Sequence, residues 1–284
     1  MTSKTSGIID THLHVIDMGK LTYPWLAGFE SLRRDYLAET YETEARRCGI
    51  TAALHMEVDV AESDIEAETR MVEGFIAREG GLVIGAISSC RPENADFPAM
   101  LERTLRNKAV KGFRRVLHVM PDELSTTSLF RDNVKRLSGS HLPFDLCVLP
   151  HQIPLAIALA DHAPDVQFVL DHCGVPGIKD RAFEPWASHV TEISKRPNVA
   201  VKISGVSAYG DAATWTVKDL RPFVEHTINA FGWSRCVWGG DWPVVTLGSS
   251  LSTWVAATHA LINGCSASEK AALLSENAKR IWRL

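Results

Sequence analysis

"GIIDTHLHVIDMGKLTYPWL" (residues 7–26) is the stretch on which the fold turns. It opens as a short apolar, β-branched run, the mark of a buried strand. Had that strand begun a doubly wound nucleotide-binding sheet, a glycine-rich phosphate turn would come next. The chain continues as "HVIDMGKLTYPWL", with neither GxGxxG nor GxxxxGK[ST]. Instead, His12 and His14 stand two residues apart at the end of the run. Alone they decide little, since 11 His in 284 residues give about 0.4 such pairs by chance.

Outward from this stretch the chain keeps a rhythm. Seven more apolar runs succeed "GIIDTHLHV" (7–15): "TAALHMEV" (51–58), "LVIGAISS" (82–89), "VKGFRRVLHV" (110–119), "PFDLCVL" (143–149), "VQFVLDHC" (166–173), "NVAVKISG" (198–205) and "SRCVWGGDW" (234–242). Amphipathic stretches separate them. One runs from Asp35, a plausible N-cap, to Gly49 as C-cap. The next starts at Ser63 or Asp64, with Glu66 as capping partner, and ends on Gly80–Gly81. Further helices are expected near 94–107, 127–139, 153–163, 181–195, 217–231 and 249–263, and a last one over "SASEKAALLSENAKRIW". Eight strand–helix units predict an α/β protein, a (β/α)8 TIM barrel with an extra C-terminal helix. No linker or low-complexity tract breaks the chain, so a single domain over 1–284 is expected.

Composition narrows the function. Hydrophobic content of 45%, charged content of 23% and a net charge of −4 describe an ordinary globular protein. No basic stripe suggests nucleic acid. No run approaches a membrane span, and "MTSKTSGIID" lacks a signal-peptide core. Cys48, Cys90, Cys147, Cys173, Cys236 and Cys265 show no paired spacing, so reduced thiols in a cytoplasmic protein are expected. A small-molecule partner is left, with a homo-oligomer open.

In such barrels chemistry sits at the C-terminal strand ends. Polar residues gather there: His12 and His14, His55 and Glu57, Arg114 and His118, His151 and Gln152, Asp171 and His172, Lys202 and Ser204, then Asp241. Alternation points His12 and His14 the same way, with Asp10 deeper. Two imidazoles at one point suit zinc or a similar ion, and Asp241 can add a carboxylate or act as a base. The bland alternatives are a hydrogen-bonded histidine pair, a turn-forming Asp241 and a structural ion pair at Arg114. Lys202 reads equally as a buried ion-pair partner or a site cation. Tyr23 and Trp25 could wall a pocket. His141, His162, His189, His226 and His259 fall on helices or loops and should be solvated.

Taken in order, "IIDTHLHV", "YPWL", "VKGFRRVLH", "LDHCGVP", "VAVKISG", "WGGDWPV" and "NAKRIW" resemble the amidohydrolase superfamily. More narrowly, the chain resembles the branch of sugar lactonases, 4-sulfomuconolactone hydrolase and 2-pyrone-4,6-dicarboxylate lactonase. The resemblance implies a metal-dependent-hydrolase barrel that opens a sugar or muconolactone-type lactone. It implies His12, His14 and Asp241 as metal ligands and Asp241 and His172 as catalytic residues. It places Arg114 on substrate; from their positions in the chain, His118, Trp25 and Lys202 are read as further substrate contacts. The strand-four and strand-five ends, "RRVLHV" and "LCVLPHQ", lack the lysine or glutamate that bridges two metals in binuclear members. At most one divalent ion, zinc first, is implied, and some relatives use none. The rivals are a zinc-dependent decarboxylase of the same branch and a barrel that binds without turnover.

Overall fold

The computed structural model describes residues 7–284. Eight strands form one parallel sheet in chain order: β1 (Ile8–Leu13), β2 (Ile50–Met56), β3 (Val83–Ser89), β4 (Val110–Val116), β5 (Phe144–Cys147), β6 (Phe168–Leu170), β7 (Val199–Ile203) and β8 (Cys236–Trp238). The sheet curls on itself. Leu13 bridges Trp242 in parallel, and the amides of His14 and Asp241 donate to the carbonyls of Trp242 and His12, each at 2.8 Å. The fold is the TIM barrel that the strand–helix rhythm predicts.

The outer layer holds α1 (Ala38–Arg47), α2 (Ile65–Ile76), α3 (Phe97–Thr104), α4 (Ser128–Lys135), α5 (Ile153–His162), α6 (Trp186–Ile193), α7 (Val217–Phe231) and α8 (Leu251–Leu261). After them come α9 (Ala267–Ala271) and α10 (Asn277–Trp282), joined by a π-helical turn. Capping explains several boundaries. Thr127 accepts from the Phe130 amide to start α4, and Ser266 with Glu269 forms a capping box on α9. Gly49, at φ +77°, lets the chain leave α1. Two expected caps are not used as such. Asp35 accepts from the Met18 amide and Asp64 from the Thr22 amide, so both carboxylates tie loops rather than helix ends.

The barrel interior changes character with depth. Ile9, Leu54, Ile87, Val169, Ala200 and Val237 pack against Ala278, Ile281 and Trp282 of α10. Asn277 holds that helix by donating to the Trp233 and Cys236 carbonyls at the start of β8. The terminal helix therefore closes the N-terminal end of the barrel with apolar side chains. At the opposite end the interior is charged.

Candidate active site

A register shift between Asp10 and Leu13 breaks the alternation of β1. Asp10 does not lie beneath His12, as strict alternation predicts. It turns toward α1, where it accepts from the Tyr41 hydroxyl at 2.7 Å and the Gly240 amide at 2.7 Å. It also accepts from the His12 amide at 2.9 Å, so it shapes the bulge that carries the histidine pair.

Beyond the bulge, His12 and His14 converge, with their Nε2 atoms 3.1 Å apart. The Oδ1 atom of Asp241 lies 3.7 Å from the first and 3.6 Å from the second. Asp241 Oδ2 lies 3.9 Å from Nδ1 of His172. Two kinds of backbone device allow this crowding. Asp241 (φ 55°) and His172 (φ 54°) are both left-handed, a costly conformation for residues with side chains. A Cβ on Gly239 would stand 2.7 Å from His12 Cβ, and one on Gly205 would stand 2.6 Å from His172 Nδ1. Glycine at both places is what lets the imidazoles meet.

Beneath them lies a buried polar network. Lys202 Nζ is 2.6 Å from Asp145, 3.0 Å from Asp171 and 3.2 Å from His12 Nδ1. Arg114 donates from Nε to Glu57 at 2.6 Å and from another nitrogen to the Glu57 carbonyl at 2.7 Å; its third nitrogen lies 3.4 Å from Asp171. Burial opposes ionisation of Asp171, yet the Lys202 ammonium outweighs it and holds that carboxyl well below the usual range. Burial, and then the Lys202 ammonium, keep His12 well below the usual histidine range, so it is neutral. Burial also lowers His172.

These residues fit a divalent cation. His14 Nδ1 can only donate to the Met56 carbonyl, 3.0 Å away, so its Nε2 presents a lone pair. Two ring nitrogens 3.1 Å apart need a proton or a cation between them. The donor triangle has edges of 3.1, 3.6 and 3.7 Å. A tetrahedral ion with bonds of ~2.1 Å holds its ligands about 3.4 Å apart. Asp241 Oδ2 is buried without a hydrogen bond. Glu57, Asp145, Asp171 and Asp241 set four carboxyl groups against two cations, Arg114 and Lys202. His12, Asp171 and His172 form a second group with ligand-like spacing.

Over this floor opens a cavity of about 340 Å³. His14, His172, Asp241, Arg114, His118 and Trp25 line it. Lys202 does not, and its expected contact with substrate is not met: it is fully buried and spent on Asp145 and Asp171. Arg114 reaches the cavity but is already an ion pair with Glu57. Tyr23 is packed away, its hydroxyl accepting from the Asp17 amide. His55 is buried off the cavity, burial taking it down to about 3, and His151 pairs with Asp122 at the surface. His189 and His226 are not freely solvated, since each bonds a backbone carbonyl.

Sequence reasoning missed Asp145, Tyr209 and the organising role of Asp171. Tyr209 lines the cavity with its ring 6.1 Å from that of His172. It sits on an irregular loop after β7, where no periodicity marks it. Ser204, two residues beyond Lys202, bonds His172 Nδ1 at 2.9 Å.

Residues 9–284 match the family model described as amidohydrolase. An uncharacterized protein, y4mH, of Sinorhizobium fredii is 28% identical, covering 98% of each chain. An L-fucono-1,5-lactonase of Burkholderia multivorans is 27% identical, covering 97% of this chain and 96% of its own. A crystal structure of an amidohydrolase from Burkholderia multivorans with bound zinc superposes with a TM-score of 0.88 at 25% identity, covering 98% of this chain and all of that one.

Proposed function

This chain belongs to the amidohydrolase family, and on that premise we propose that it hydrolyses a lactone to the ring-opened hydroxy acid. The observation that carries the reading is the Asp241 carboxylate, within 3.6–3.9 Å of three buried imidazoles at the floor of the cavity. The likeness to L-fucono-1,5-lactonases supports it.

His12, His14 and Asp241 would hold one divalent ion. We assign zinc, the ion of the Burkholderia multivorans structure. When bound, it polarises the carbonyl and lowers the pKa of water from ~15.7 toward ~7. The chain's own groups do the rest. Asp241 accepts a proton from the water that adds to the ring carbonyl carbon. With the Ser204 hydroxyl donating to Nδ1, His172 carries its proton on Nε2 and offers it as a hydrogen bond to the developing oxyanion. Such a donor contributes ~2.7–4 kcal/mol. As the acyl C–O bond breaks, Asp241 returns the proton to the leaving ring oxygen. Arg114, held by Glu57 and Asp171, keeps the floor in register beneath the reacting ester.

The test is a pH-indicator assay of aldonolactones, muconolactone and alkyl lactones, with metal analysis of the purified protein. Ring opening releases acid, and a chelator that strips the ion should abolish it. Release of CO2 from an aromatic acid, with every lactone untouched, would overturn the reading.

A further inference from the structure

The floor and the wall of the cavity differ in kind. Floor groups are polar and mutually engaged. The wall is apolar: Ile16, Trp25, Phe29, Val116, Leu149 and Leu247 face the space. The indole N–H of Trp25 is already engaged, donating to the Val58 carbonyl at 2.8 Å, so ring surface is what it offers a ligand. Phe29 meets it edge-on, with centroids 5.7 Å apart, and remains 47% exposed at the rim. An exposed phenyl beside a half-buried indole is a surface awaiting an apolar partner.

The wall offers a charged substituent no partner. Among the described residues, Arg114 is the one Arg or Lys side chain that lines the cavity. Each of its three nitrogens already has a partner, in Glu57, Asp171 or His12 Nε2. Asp59 lines the same space, and the nearby cations Arg91 and Arg115 are already turned to it at 3.7 and 4.0 Å. Ring hydroxyls fare little better, because valine, leucine and isoleucine walls leave them without partners once water is displaced. The free polar groups, Tyr209 and the outer nitrogen of His118, stand by the floor, where one ester group would use them.

We propose that the substrate is an uncharged lactone whose ring carries an alkyl or aryl substituent, the ester over Asp241 and the substituent along the Trp25–Leu149 wall. This rests on the lactonase reading and narrows it away from polyhydroxylated and anionic rings.

The experiment is a kcat/KM series on the wild-type protein: γ-butyrolactone, γ-hexalactone, γ-octalactone and γ-decalactone, against L-fucono-1,5-lactone and muconolactone. We expect kcat/KM to rise about 3- to 4-fold per methylene until the wall is covered. The sugar lactone should trail γ-octalactone by about 100-fold. Leu247→Asn should cut the octalactone-to-butyrolactone ratio about 10-fold. Inhibition by 2-alkylcyclopentanones, which have a ring carbonyl but no bond to hydrolyse, should tighten with the same dependence on chain length. Faster opening of the sugar lactone or of muconolactone overturns the inference and leaves the lactonase reading standing. If no lactone is opened yet the ketones bind with rising affinity, the lactonase reading fails and the apolar wall is upheld. A flat response to chain length in both series overturns the wall preference outright.

Discussion

The two ends of one barrel interior differ more than any other two regions of this molecule. At the N-terminal end Trp282 and Ile281 of α10 plug an aliphatic layer. At the C-terminal end the same strands carry His12, Arg114, Lys202 and Asp171, all buried and all paired. The lower layer gains stability from removing apolar surface from water. Desolvation opposes the upper layer, whose ion pairs at best roughly balance that cost. Its arrangement fits the preorganisation that the proposed chemistry needs. The contrast teaches that depth along a strand, rather than strand identity, assigns a residue to folding or to function.

That division can be broken by substitutions at each level. Asp241→Asn should lower kcat on the best lactone by about 10²–10⁴-fold while the circular dichroism spectrum stays native, since it removes the base and leaves the volume. A variant with unchanged kcat would move the chemistry elsewhere. Trp282→Ala should cost ~3–5 kcal/mol in urea unfolding by opening a cavity at the plug, with kcat within about threefold of wild type. Lys202→Met should cost a similar ~3–5 kcal/mol, because Asp145 and Asp171 lose their cation. Unlike Trp282→Ala, it should also slow turnover, because His12 and Asp171 lose their anchor. Equal behaviour of these two variants would erase the distinction between the layers. Ser204→Ala should reduce kcat by about 10-fold through a misoriented His172, with KM little changed.

The smallest effect concerns pH. Burial, and then Arg114, push His118 down to about 4. The folded protein thus binds fewer protons than the unfolded chain between that value and ~6.5. The stability it contributes is complete above pH ~6.5 and is lost as pH falls toward 4. Melting temperature should decline over that window, at about 2–4 °C per kcal/mol, and His118→Asn should lessen the slope, with His12, His55 and His172 supplying the rest. A Tm that rises on acidification would contradict the neutral, buried state of the histidine.

Much of this organisation is legible in the sequence. The apolar runs mark the eight strands, and histidines at strand ends mark the functional end. Legibility stops where a side chain's partner comes from a distant segment. Lys202 reads as buried or as exposed to substrate with equal ease, until Asp145 and Asp171 are seen on either side of it. Arg114 reads as a substrate contact or as a structural ion pair until Glu57 is seen beside it. Asp10 obeys alternation only if β1 is regular, and its bulge is imposed by contacts with Tyr41 and Gly240.

The amino-acid order alone determined the barrel, because strand and helix periods are local and eight repeats of them close in few ways. It also named His12, His14, His172 and Asp241, which the structure brings together, since the end of a strand is a position in sequence. Only the tertiary structure decided which charges are already spent, which wall is greasy and which hydroxyl faces the cavity. Those properties belong to pairs and groups of residues far apart in the chain, and they exist only once folding has set their separations.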